Sequence, residues 1–227
     1  MSTANIVKIF IELGILIFSL SLHEFGHAIA ANRLGDPTAK MLGRMTLNPL
    51  AHADFFGTFL FPLIMFMLPG SYIFGWAKPV PVTAQNFKNP RRDMALVALA
   101  GPMMNFLLSF LSVVVLSVMD GTTFFQVNPV TAGLTISFFL FFFWINFLLG
   151  VFNLIPIFPL DGSWILKAIL PPRASAAVSR LDPYGFIILI VLLISNILNY
   201  CLAPAMLILF LVLHYLGLDH VAQLLQT

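Results

Sequence analysis

Two histidines and a glutamate stand together early in the chain, in His23-Glu24-Phe25-Gly26-His27. On an α-helix, residues four apart share a face and lie about 6 Å apart along the axis. Two imidazoles so placed can share one zinc ion, and the glutamate between them can act as general base. The surroundings strengthen the reading. The cluster lies inside an apolar run, residues 4–31, where an ionisable group is costly and marks function. A catalytic zinc needs a third protein ligand and a position open to water. The remaining histidines are His52, in a loop-like stretch, and His214 and His220 near the carboxyl end. Asp161, in Pro159-Leu160-Asp161-Gly162, is the better candidate, although Asp-Gly is also an ordinary turn signal.

The elements that must position these groups are set by composition. Of 227 residues, 60% are hydrophobic and 9% charged, against about 45–50% and about 25% in soluble globular chains. Mean hydropathy is +0.99. A soluble cytosolic enzyme, a disordered chain and a nucleic-acid binder are excluded. The composition is that of an integral membrane protein with little outside the bilayer. A spanning helix takes roughly 20 residues, so an all-α polytopic fold of about five to six transmembrane helices is expected, in a single domain covering 1–227. One cysteine, Cys201, excludes an intramolecular disulfide and a Cys-cluster metal site. No cleavable leader is expected, because the first apolar run continues through the charged motif.

After the first run comes a polar stretch, 32–54, then a short apolar run, 55–68, interrupted by Pro62. Residues 69–92 are rich in Gly, Pro and basic residues, with a β-like piece at 76–83. Further apolar runs cover 94–119, 131–152, 184–198 and 202–217, and residues 163–170 read as a short interfacial helix. Lys and Arg mark cytoplasmic loops. Apart from Lys8, the basic residues flank the short run, at Arg33, Lys40 and Arg44 and at Lys78, Lys88, Arg91 and Arg92, or follow Asp161, at Lys167, Arg173 and Arg180. The first helix therefore ends in the cytoplasm, 94–119 runs outward, 131–152 returns, and the last two runs form a hairpin. The short run 55–68 is flanked by basic residues on both sides, so it is read as re-entrant or paired with the segment after it. Only then do Asp161 and the two histidines fall on one membrane side.

These motifs resemble the site-2 protease family of intramembrane zinc metalloproteases, in its compact branch without a PDZ domain. His23-Glu24-x-x-His27 is similar to the family's zinc motif, and Asn153-x-x-Pro156 with Pro159-Leu-Asp161-Gly162 to its second motif. The stretches Gly43-Arg-Met-Thr-Leu-Asn48-Pro49-Leu, Gly75-Trp-Ala-Lys-Pro79-Val-Pro81-Val and Ala100-Gly101-Pro102-Met-Met-Asn105 resemble further family segments. Phe158 departs from the pattern, standing where many relatives have proline. The resemblance implies that His23, His27 and Asp161 hold one zinc ion, that Glu24 is the base, and that Asn153 contacts substrate, unless it serves as a cap on its helix end. It implies membrane-protein substrates, single-pass and entering between helices, in a multi-pass protein of the cell membrane whose active site faces the cytoplasm. Asn105 and Asn146, as buried amides, are expected to serve packing through hydrogen bonds between helices rather than to line a polar cavity, and residues 76–83 could lend an edge to an extended substrate. The rival readings are a metal-binding transporter or sensor, which needs no base, and an inactive scaffold.

Overall fold

The first apolar run folds as one helix, α1 (Thr3–Leu34). It ends where Gly35 takes a left-handed conformation (φ 111°). The Asp36 N–H bonds back to the Ala31 carbonyl at 2.9 Å, closing the helix end on a glycine with no Cβ to strain. The computed structural model describes residues 3–60, 77–120, 129–195 and 197–215. Among these there is no β-strand; every regular element is helical. Four helical stretches are long and apolar enough to cross a membrane, Phe10–Leu34, Pro90–Met119, Gly133–Asn153 and Pro172–Leu192, and a shorter apolar helix covers Leu202–Tyr215.

The chain divides into two compact units, Met1–Asn105 and Phe106–Thr227. In the first, α1 is followed by two single-turn helices, α2 (Thr38–Met41) and α3 (Pro49–His52). Asn48 starts α3, its side chain accepting from the Leu50 N–H, with Pro49 at the first helical position. A π-helical turn, Phe55–Leu60, opens the short apolar run; the rest of that run, and with it the re-entrant passage, lies outside the described residues. The β-like piece is non-helical over 77–83 and pairs with no strand among the described residues. Prolines at 79 and 81 carry no N–H. The donors at Val80 and Thr83 go instead to the carboxylates of Glu24 and Asp36. A 3-10 turn, Ala84–Asn86, leads into α4 (Pro90–Asp120). Buried Ala28, Ala39 and Val80 form one small core of this unit, and Ala31, Phe87 and Val97 another.

Helix α4 begins at Pro90, where the Asp93 carboxylate reaches back to the Asn89 N–H at 3.0 Å. Ala100-Gly101-Pro102 therefore lies within the helix. The second unit holds the remainder of α4, then α5 (Pro129–Asn153), α6 (Gly162–Ile169), α7 (Pro172–Ser179), a 3-10 turn (Asp182–Tyr184), α8 (Gly185–Ile194) and α9 (Ile197–Tyr215). The expected interfacial helix is α6, displaced by one residue. Helix α7 is additional to the sequence reading. The break between the last two apolar runs, expected after residue 198, falls before Ile197, and Pro204 sits inside α9. A proline removes one helical hydrogen bond, which an otherwise continuous apolar helix tolerates. The core of this unit is apolar: Val113, Leu116, Leu140, Phe143, Leu209 and Leu213.

Candidate active site

In the first unit, α1 carries the His-Glu-x-x-His cluster, with both histidines buried and Glu24 half-buried. The rings of His23 and His27 meet edge to face, centroids 4.6 Å apart, and their Nε2 atoms are 3.0 Å apart. Their Nδ1 atoms are held by α4: that of His23 lies 2.6 Å from Asn105 Oδ1, and that of His27 lies 2.7 Å from the Val97 carbonyl oxygen. An amide oxygen and a carbonyl oxygen can only accept, so each Nδ1 donates. Nε2 is then the acceptor nitrogen of both rings, and two lone pairs converge on one point. That arrangement repels itself unless a cation lies there, so the donor set fits a metal ion.

Close approach of α1 and α4 makes this possible. A Cβ on Gly101 would lie 2.4 Å from His27 Cε1 and Nε2 and 2.7 Å from His23 Cε1, and a Cβ on Gly26 would lie 2.8 Å from the Ala100 carbonyl oxygen. Small residues let helices in lipid approach at backbone distance. Pro102 interrupts the hydrogen-bond ladder of α4 within this same stretch.

Glu24 is held from another direction. Its Oε2 accepts from the Val80 N–H at 2.7 Å. The segment that supplies this donor is pinned along its length. The Lys78 N–H bonds to the His52 carbonyl at 2.8 Å, and Arg44 Nη2 donates to the Lys78 carbonyl at 2.8 Å. Buried Asp36 accepts from the Thr83 N–H, from Asn86 Nδ2 and from the N–H and hydroxyl of Thr38. Burial alone would push this carboxyl up, but the hydrogen bonds outweigh it and hold Asp36 below the usual carboxylate value.

Asp161 and Asn153 belong to the second unit. Between them the chain runs through successive tight turns, closed by Leu154 N–H to Val151 O, Ile155 N–H to Phe152 O and Leu160 N–H to Ile157 O. Asp161 ends this stretch, half-buried, and α6 follows at once. Gly162 is required there, because a Cβ would lie 2.2 Å from the Leu154 carbonyl oxygen. Helix α6 is anchored by Lys167, whose Nζ lies 2.6 Å from Asp182 Oδ2 and 5.0 Å from the centre of the Trp164 ring. Asn153 is the last residue of α5 and donates from Nδ2 to the Leu149 carbonyl at 3.0 Å, one turn back.

Asn105 is the residue that sequence reasoning undervalued. Read from sequence it is a packing amide; in the structure its partner across the helices is the ring of His23. The available signal was an amide within a segment, Ala100 to Asn105, that already resembled a family motif.

A histidine pair whose donors fit a metal ion, with an intervening carboxylate, on a membrane-length helix in a chain whose described residues form helices and no strand, is the pattern of a multi-pass membrane metallohydrolase. The chain belongs to Peptidase family M50, whose model matches residues 11–195. It is 39% identical over 189 residues to "Putative zinc metalloprotease YwhC" of Bacillus subtilis, covering 83% of this chain and 82% of that one. It is 35% identical over 187 residues to "Putative zinc metalloprotease Rip2" of Mycolicibacterium smegmatis, covering 81% of this chain and 66% of the relative. Over 163 residues it is 26% identical to "Zinc metalloprotease MJ0392" of Methanocaldococcus jannaschii, 70% of this chain and 34% of that one. No solved structure matches the chain. The protein is a zinc metalloprotease embedded in the membrane, acting on protein substrate.

Proposed function

We propose that this protein hydrolyses peptide bonds in or beside transmembrane segments of single-pass membrane proteins, as in regulated intramembrane proteolysis. Its catalytic domain is the whole of 1–227, and the active site opens to the cytoplasmic side. His23, His27 and Asp161 are the zinc ligands, and Asn153 contacts substrate. The observation that carries the reading is the pair of Nε2 atoms 3.0 Å apart, with Glu24 on the same helix held through its carboxylate. When bound, zinc acidifies water and polarises the scissile carbonyl. Glu24 takes a proton from the attacking water at its carboxylate and returns it to the leaving amine nitrogen as the C–N bond breaks. The Val80 N–H orients that carboxylate. A helical substrate satisfies its own backbone hydrogen bonds, so it must unwind locally before attack.

The test pairs wild type with Glu24→Gln, both purified in detergent. Bound zinc and cleavage of a transmembrane-segment fusion are measured together. Zinc is expected at one per chain in both, with cleavage lowered about 10²–10⁴-fold in the variant. Equal cleavage by the two proteins removes Glu24 as base. Zinc in both with metal flux and no cleavage turns the reading toward transport.

A further inference from the structure

We infer that Asn105 is a positioning residue for the zinc centre, selecting the ring nitrogen that His23 offers to the metal. The inference rests on His23 being a ligand. Asn105 is fully buried on α4, and its Oδ1 lies 2.6 Å from His23 Nδ1. A neutral imidazole carries one proton. If that proton sits on Nδ1, Nε2 can ligate; if it sits on Nε2, the nitrogen facing His27 is blocked. An acceptor at Nδ1 therefore decides whether the ring is a ligand at all.

An asparagine can fail at this task, because turning its amide over presents NH2 to Nδ1 and drives the proton to the wrong nitrogen. The amide is held against that error. Asn105 Nδ2 lies 3.4 Å from the carbonyl oxygen of Ser19, which is buried on α1 one turn before His23. A carbonyl can only accept, so it attracts the NH2 group and aims Oδ1 at the ring. One side chain thus reads two points of α1 and fixes the tautomer and ring orientation together. The two histidines are not supported alike. His27 has the backbone carbonyl of Val97, which no substitution of that residue's side chain removes. His23 depends on a side chain.

The experiment measures zinc affinity by chelator competition on the full chain in detergent, with unfolding of the metal-free protein followed in parallel. The variants are Asn105→Leu, similar in size without an acceptor, Asn105→Asp, which keeps one, and His23→Ala. Asn105→Leu is expected to weaken zinc binding about 10–100-fold, as loss of an outer-shell partner does elsewhere. Asn105→Asp is expected to stay within about threefold of wild type, since a carboxylate also accepts from Nδ1. Wild-type affinity in Asn105→Leu overturns the inference. So does an equal loss in both variants, which marks a packing role. If Asn105→Leu does not fold, the aspartate variant decides by itself, because the inference requires it to retain zinc. If His23→Ala binds zinc as wild type does, the ligand assignment fails, and the inference fails with it for that separate reason.

Discussion

The two units bury polar side chains to different ends. In the first, several reach across elements, Asn105 to His23, Glu24 to Val80, Asp36 to Thr83 and Asn86, while Ser21 bonds within its own helix to the Ile17 carbonyl. In the second, Ser112, Asn146 and Asn153 donate to carbonyls four residues back on their own helices, as do the more exposed Thr135 and Ser137. Ser109 and Lys167 are among the described residues of the second unit that do reach, bonding to the Phe143 carbonyl and to Asp182. A polar group satisfied by its own helix leaves packing free to adjust. One satisfied by a distant element fixes the separation and rotation of both. Chemistry needing sub-ångström placement is built from bonds of the second kind, while a bilayer-embedded scaffold can rest on packing such as that of Leu140, Phe143 and Leu213.

Substitutions can break this contrast. The largest effect is expected from Gly101→Val, which puts side-chain atoms where the His23 and His27 rings lie. Zinc affinity should fall by about a hundredfold or more, comparable to losing a ligand's support. Gly150→Ala is the matched control in the second unit. Its Cβ would meet the Phe106 ring at 2.7 Å, and a ring edge can shift, so stability should change by about 1–3 kcal/mol with zinc retained. Zinc affinity unchanged in Gly101→Val would show that the close helix contact is not what aligns the pair.

Leu213→Ala comes next, with an expected cost of about 2–5 kcal/mol in unfolding and unaltered zinc affinity. A loss of zinc there would erase the contrast. The smallest effect belongs to Asp36→Asn. Its carboxylate sits below the ordinary value in the folded protein, so its stabilisation is complete above that value. The contribution is lost as pH falls through the lowered folded-state value. The variant should be less stable than wild type by about 1–3 kcal/mol at neutral pH. The gap should narrow in acid, where wild type protonates too. A gap independent of pH would assign the effect to shape rather than charge.

His23, Glu24 and His27 were legible because a helix brings residues four apart onto one face, and the motif contains its own geometry. Asp161 could be proposed only through its resemblance and the distribution of basic residues. Asn105 was not, because its partner lies 82 residues away, and no periodicity reports a contact of that span. Helix α7 was missed because Arg-Ala-Ser-Ala-Ala-Val-Ser has neither an apolar run nor a clear stripe. The last break was misplaced because Pro204 carries a strong signal for a turn and here lies within α9.

Between Pro79 and Pro81, Val80 owns the one backbone N–H of three consecutive residues, and Glu24 takes it. Sliding the segment by one residue in either direction would offer the carboxylate a proline nitrogen with no hydrogen to give. The contact thus works as a key with a single tooth. It engages at one setting and has no neighbouring setting to settle into, so small displacements are penalised in full.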